Sequence, residues 1–287
     1  MLPALQGPSS TGVASRRETG YTLTMTSILA ATVVLLRDSA DGPEILMVRR
    51  GDNLAFAGGA LVFPGGRVDD ADVIVARDPE LATGFDTLAD DDAAARIACA
   101  REALEETGVL LTSGEAPDPV ALALARARLA AGPDEDEACS FAAILGALDH
   151  RVDAARFVPF ARWEPPLAAP IKRRFDTFFF VADAGNTASA AISADGHEAV
   201  AIEWTTAAAA LAGEARGETP LVFPTKCNLQ RLGQYDSVAA ILAAAACRPP
   251  PFIQPEIISR DGEMWLTIPA GCDYPCTEER LEGVRRE

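Results

Sequence analysis

The sequence predicts an α+β fold in which a mixed β-sheet lies between helices. Three observations carry this expectation. Short apolar runs rich in β-branched residues, each bounded by turn residues, recur from Ile28 onward. A strongly helix-like stretch follows at residues 93–107. Strands and helices then mix without the regular βα alternation of a doubly wound parallel sheet.

Residues 1–24 are rich in Gly, Ser, Thr and Pro, lack periodicity and read as a disordered leader, which makes Met25 a candidate start. Residues 25–287 read as one domain. Within it, residues 28–36 and 45–48 form strands joined into a hairpin at Asp41-Gly42-Pro43. Residues 60–63 form a third strand that ends in a Pro64-Gly65-Gly66 turn. Residues 67–92 are polar, acidic and irregular, and the helix at 93–107 stops at Gly108, a C-cap. A strand resumes at 109–111. Loops at 113–137 surround an Ala/Leu/Arg helix at 119–131, and residues 141–148 are helical. Residues 175–181 and 198–204 are strands. Helices follow at 207–211 and 229–246, the second with Pro224 just before it. Residues 249–287 form a C-terminal extension, in which runs at 256–259 and 264–268 flank the hairpin turn Asp261-Gly262.

Composition narrows the function. Hydrophobic residues at 49% supply a sizeable core, and aromatics at 6% leave Ala, Val, Leu and Ile to fill it. Acidic side chains outnumber basic ones by 42 to 25, so a nucleic-acid backbone, which needs Lys and Arg against its phosphates, is excluded as the main partner. No apolar run reaches the roughly 18 residues of a membrane helix. The cysteines show no paired C-x2-C spacing, and Cys272 and Cys276 lack nearby His partners, which predicts reduced thiols and a cytoplasmic protein. Nothing in the sequence sets an oligomeric state.

The chemistry concentrates in Arg101-Glu102-Ala103-Leu104-Glu105-Glu106-Thr107-Gly108-Val109. At 100° per residue, Glu102, Glu105 and Glu106 share one helical face, and Ala93, Ile97, Ala100 and Leu104 share the opposite, core-facing one. Like charges at these spacings repel, and the helix C-terminus disfavours anions. Both penalties vanish if divalent cations sit on the carboxylate stripe, because Mg²⁺ takes carboxylate oxygens and keeps several waters. Upstream, Gly59-Ala60-Leu61-Val62-Phe63-Pro64-Gly65-Gly66 runs a strand into a Gly-rich bend where backbone approaches a ligand closely.

These two pieces resemble the Nudix signature, G-x5-E-x7-R-E-U-x-E-E-x-G-U, where U is a bulky apolar residue. Gly66 matches the opening glycine, and Arg101, Glu102, Glu105, Glu106, Gly108 and Val109 match the second half. Three positions depart from it. Asp72 stands at the first glutamate, residues 73–100 replace the seven-residue spacer, and Ala103 stands at the first U. A box split by an insertion resembles the branch that contains peroxisomal coenzyme A diphosphatases. Further matches lie at Arg174-Phe175-Asp176-Thr177, at Glu198 to Trp204, at Pro224-Thr225 and at the late Asp-Gly hairpin.

The resemblance implies a Nudix-type α/β/α sandwich with an insertion inside the box and a C-terminal helix/hairpin extension. It also implies an enzyme that directs water onto a phosphorus of a small-molecule nucleotide diphosphate. In it, Glu102, Glu105 and Glu106 hold Mg²⁺ or Mn²⁺, with the Gly65 carbonyl as a further ligand. Arg101 orients a glutamate of the box, and Glu198 is the candidate general base or extra ligand, with Glu203 as second choice. Arg49, Arg67 and Arg174, together with Arg50 and Arg173, are candidate phosphate partners, because guanidinium forks match phosphate oxygens. The insertion is expected to be either a lid or wall over the substrate or a tolerated surface loop. The best-matching substrate is coenzyme A or an acyl-CoA. ADP-ribose, NADH or a nucleotide sugar is the alternative, and a non-catalytic nucleotide-binding module the alternative of another class.

Overall fold

The computed structural model describes residues 27–51, 58–132, 137, 140–185 and 199–281. The 1–24 leader, Met25 and Glu198 lie outside them.

Strand β1 (Ile28–Ser39) turns into β2 (Gly42–Arg50), with Ser39 opposite Gly42. Their mutual pairing extends only from the turn to Leu36 opposite Ile45; beyond it the strands splay apart. The gap is filled by β3 (Leu61–Val62) on β2 and β4 (Gly65–Arg67) on β1. Next come α1 (Asp70–Arg77), β5 (Ala82–Thr83) and α2 (Asp90–Glu102). A π-helical turn at Ala103–Thr107 continues α2 and closes on Gly108, which is left-handed at φ 77°. Helices α3 (Pro119–Ala131) and α4 (Phe141–Leu148) precede β6 (Val152–Asp153), β7 (Val158–Trp163), β8 (Phe175–Asp183) and β9 (Ala199–Thr206). Helices α5 (Ala207–Ala215), α6 (Phe223–Leu232) and α7 (Val238–Ala246) lead to β10 (Phe252–Ile253) and the meander β11 (Glu256–Arg260), β12 (Glu263–Thr267) and β13 (Glu278–Arg280).

Among the described residues the main sheet has the order β10-β7-β8-β1-β2-β3, with β4 on β1 and β9 on β2. It is mixed, since β8 runs parallel to β1 while β9 runs antiparallel to β2. Alternation along β1 builds two cores. Ala31, Val33 and Leu35 pack with Ile97, Leu104, Leu129 and Ile144 from the α2–α4 side. Val34 and Leu36 pack with Leu229, Leu232 and Ile241 from the α6–α7 side. Helices thus cover both faces, and the fold is the α/β/α sandwich with a mixed sheet that was expected.

Several local expectations are corrected. Gly65 and Gly66 do not form a turn but a strand, opposite Thr32 and Ala31 of β1. Residues 67–92 are not irregular, because α1 occupies part of them and α2 starts at Asp90. Nor is α2 two-faced: residues from Ala93 through Ala100 are all buried, since Ala and Cys are small enough to be gripped on every side by the sheet and α1. Residues 109–111 form no strand; Val109 and Leu111 are apolar because they fill the α2-side core. The single helix expected at 229–246 is two, broken after Leu232, with the Ser237 hydroxyl accepting from Ala240 N at 3.2 Å to cap α7. Pro224 sits inside the first turn of α6, where its missing N–H costs nothing. The late hairpin forms around Asp261 and Gly262, both at positive φ, and gains a third strand, β13.

Candidate active site

The C-terminal end of α2 lies against β4, and the contact is made by glycine. An added Cβ on Gly66 would fall 2.2 Å from Glu102 Oε1, and one on Gly65 would fall 2.4 Å from the Ala31 carbonyl. At Gly65 the obstacle is backbone, and at Gly66 it is the Glu102 carboxylate, which a side chain would displace. The glycine strand therefore lets two helix carboxylates reach the main chain: Glu102 packs on Gly66, and Gly65 N donates to Glu106 Oε2 at 3.0 Å. Glu106 is only 6% exposed, so the carboxylate stripe does not face away from the protein body as its spacing implied. The 100° rule fails because the last turn is π-helical and rotates less per residue. Glu105, half-buried, lies on the same wide turn.

Arg101 ties this end of the helix to α1. Its Nε and Nη2 reach Asp72 Oδ1 and Oδ2 at 3.1 and 2.9 Å, a bidentate fork, while Nη1 donates to Glu102 Oε1 at 2.7 Å and Nη2 to the Arg67 carbonyl at 2.9 Å. Burial works against the Arg101 charge, but the Asp72 hydrogen bond and the Glu102 charge outweigh it and drive its pKa above the ordinary guanidinium range. Asp72, 1% exposed, also accepts from Asp69 N at 2.9 Å. The carboxyl at the box's first acidic position is thus held by three donors despite its shorter side chain. Behind the helix, burial and then the Glu102 charge push the Cys99 thiol far above its usual range, which leaves it inert as a nucleophile at neutral pH.

Most of the other sequence candidates have partners of their own, and Glu198 lies outside the described residues. Arg49 on β2 donates to Thr219 Oγ1 at 3.1 Å and lies 3.8 Å from Glu203 of β9. Arg67 is exposed and paired with Asp69 at 3.0 Å. Arg174 is buried, its fork taken by the Pro165 and Pro166 carbonyls, and Arg173 is exposed. Glu198 immediately precedes β9, whose first residue, Ala199, pairs with Arg50. His150 is a core residue, bound to the Thr112 hydroxyl at 2.6 Å and the Glu115 carbonyl at 2.8 Å. Segment 73–100 is not a surface loop, since it holds most of α1, then β5, then nearly all of α2. Sequence reasoning missed Asp69 and Arg126 at this site. The latter, on α3, reaches the carbonyls of Glu105 and Glu106 through nothing that spacing in the chain records.

Glu102, Glu105, Glu106 and the Gly65 carbonyl are hard oxygen donors of the type Mg²⁺ and Mn²⁺ take. Among the described residues no three His, Cys, Asp or Glu side chains converge on one metal position. That is compatible with Mg²⁺, which binds through one or two carboxylates and retains water. No helix among the described residues is long and apolar enough to cross a membrane.

No known family model matches the chain. Among solved structures, a Nudix hydrolase from Alicyclobacillus acidocaldarius is 28% identical with a TM-score of 0.64, over 79% of this chain and 100% of that one. A MutT Nudix hydrolase from Burkholderia pseudomallei aligns at 16% identity and TM-score 0.38, over 71% and 96% of the two chains. The Nudix domain of Shewanella oneidensis NrtR, solved with ADP ribose, aligns at 14% and 0.37, over 70% and 82%. Of these three, the first overlays closely enough to speak for the architecture. With that architecture, and with the box residues Arg101 to Gly108 closing the helix against the glycine strand, the chain is an enzyme of the Nudix hydrolase type.

Proposed function

We propose that this enzyme hydrolyses a diphosphate linkage in a nucleotide-like small molecule, using Mg²⁺ or Mn²⁺ held by Glu102, Glu105 and Glu106 with the Gly65 carbonyl. The observation that carries the reading is the pair of contacts across the helix–strand seam, Gly65 N to Glu106 and Arg101 to both Asp72 and Glu102. These contacts fix acidic side chains at a helix C-terminus, where charge repulsion and the macrodipole both oppose them.

A divalent ion at this seam supplies Lewis-acid stabilisation of the charge that builds on the phosphoryl oxygens. The chain's own residues do the remaining work. Arg101 keeps Glu102 and Asp72 in register, so the carboxylate at the front of the helix need not reorganise during the reaction. The amide of Gly65 fixes one oxygen of Glu106 and leaves the orientation of its carboxylate defined. A water oxygen bonds to one phosphorus as the bridging P–O bond breaks, and the water proton passes to a carboxylate. Glu198, just ahead of β9, is the proposed base, with Glu203 as the alternative. Arg49 and Arg67 are the proposed phosphate partners; Arg174 is not carried forward, because carbonyls occupy its fork. Coenzyme A or an acyl-CoA is the proposed substrate, on the split box, and ADP-ribose, NADH and nucleotide sugars are its competitors.

The test is product identification from this panel with Mg²⁺ and with EDTA. Metal-dependent release of a phosphopantetheine and adenosine 3',5'-bisphosphate at the highest kcat/KM supports the full reading. Preference for another diphosphate overturns the coenzyme A assignment. No turnover of any member, with binding retained, leaves a nucleotide-binding module instead.

A further inference from the structure

The carboxylates at the end of α2 depend on a wide last turn, and the hydrogen bonds of that turn are finished from outside. The last carbonyls of any helix lack intrahelical partners. Here Gly108 N takes the Leu104 carbonyl at 2.9 Å, and Val109 N takes that of Ala103 at 3.3 Å. The Thr107 hydroxyl also closes on Ala103 O at 2.5 Å. The next two carbonyls, those of Glu105 and Glu106, are taken by one side chain: Arg126 donates Nε to Glu105 O at 2.9 Å and Nη2 to Glu106 O at 2.8 Å. Arg126 is carried by α3, which is seated in the α2-side core by Ala125 and Leu129 and started by Asp118, whose carboxylate accepts from Val120 N at 2.8 Å. A cation so placed also offsets the negative end of the helix dipole beneath the acidic residues.

We propose that Arg126 is a positioning residue for the metal-holding carboxylates. Its planar fork, spanning two successive carbonyls, holds the π-helical turn open and so sets where Glu105 and Glu106 present their side chains. The inference rests on the reading above that these carboxylates hold a divalent ion. A lysine keeps the charge but offers no fork that bridges both carbonyls.

The experiment is Mn²⁺ titration of the full chain followed by electron paramagnetic resonance, on the wild type, Arg126→Ala, Arg126→Lys and the control Arg128→Ala, which lies on an exposed part of α3. Thermal melting is recorded in parallel. The expected result is a dissociation constant for Mn²⁺ raised at least fivefold in Arg126→Ala and by an intermediate factor in Arg126→Lys, with Arg128→Ala unchanged. Steady-state kinetics on the same proteins then show a fall in kcat at constant substrate KM. Equal Mn²⁺ affinity in the wild type and Arg126→Ala overturns the proposal. If Arg126→Ala does not fold, wild-type affinity in Arg126→Lys does the same. A wild type that binds no Mn²⁺ instead overturns the metal-holding reading beneath it, and a wild type that binds Mn²⁺ but cleaves no diphosphate overturns the proposed reaction while leaving the role of Arg126 intact.

Discussion

On the α2 side of the sheet, Arg101 bonds Asp72 and Glu102, and the Gly65 amide donates to Glu106. On the α6 side, Trp163 donates Nε1 to the Tyr274 hydroxyl at 3.2 Å, and that hydroxyl donates to Asn228 Oδ1 at 2.8 Å. Arg231 there lies 4.0 Å over the Phe160 ring and donates to the Phe160 carbonyl at 2.7 Å. Both clusters are buried and polar. They differ in sign balance, since the first sets carboxylates from two helices against the Arg101 cation, whereas the second joins neutral groups and a stacked guanidinium. Burial pushes the Tyr274 hydroxyl up to about 12, so it stays a neutral donor at any physiological pH. The difference separates two uses of buried polarity: the α6 cluster fastens residues 270–276 to the body of the fold, and the α2 cluster is the one proposed to hold a divalent ion.

The comparison breaks most visibly at Glu106. Glu106→Gln keeps an oxygen for the Gly65 amide but removes a charge, so kcat is expected to fall roughly 10²–10³-fold, the scale of losing one electrostatic contact to a transition state. Melting temperature is expected to hold or rise as repulsion is relieved. Unchanged turnover would remove the α2 cluster from the chemistry.

The two glycines sharpen the same point. At Gly66 a methyl group meets only the flexible end of Glu102, so Gly66→Ala is expected to displace that carboxylate and cost about 10- to 100-fold in activity or metal affinity, with little change in melting. At Gly65 it meets backbone, at Ala31 O and Thr32 Cα, so Gly65→Ala is expected to cost about 1–3 kcal/mol of stability, read by urea unfolding. Equal stability loss in both variants contradicts the assignment of Gly66 to the site.

The smallest effect is expected at the α6 cluster. Tyr274→Phe removes the donor to Asn228 and should lower stability by about 1 kcal/mol, and the melting temperature by about 2–4 °C, with kcat unchanged. A tenfold loss of activity without a change in melting would erase the distinction between the clusters.

How much of this was legible follows from where the information lies. Glu102, Glu105, Glu106 and Gly108 are close in the chain, and their spacing alone marks a charged helix end. The Asp261-Gly262 turn is equally local, because both residues accept positive φ. The fork from Arg101 to Asp72 was not legible, since 28 residues separate the two and only the packing of α1 on α2 joins them. Helix α1 itself was hidden by the acidic texture of Asp69-Asp70-Ala71-Asp72, and β7 by Pro159 and Arg162, which interrupt its apolar pattern. The buried Glu106 could not be anticipated from a period of 3.6, because the turn that carries it is π-helical. Contacts made through space, such as that of Arg126, leave no trace in local pattern.

The central claim is that the seam between α2 and β4 holds a divalent cation, and the most direct measurement is the anomalous difference map from crystals of the full chain grown with Mn²⁺. A peak is expected within about 2–2.5 Å of oxygens of at least one of Glu102, Glu105 and Glu106, lost in Glu106→Gln. A map with no peak at these carboxylates, at a Mn²⁺ concentration that supports turnover, would contradict it.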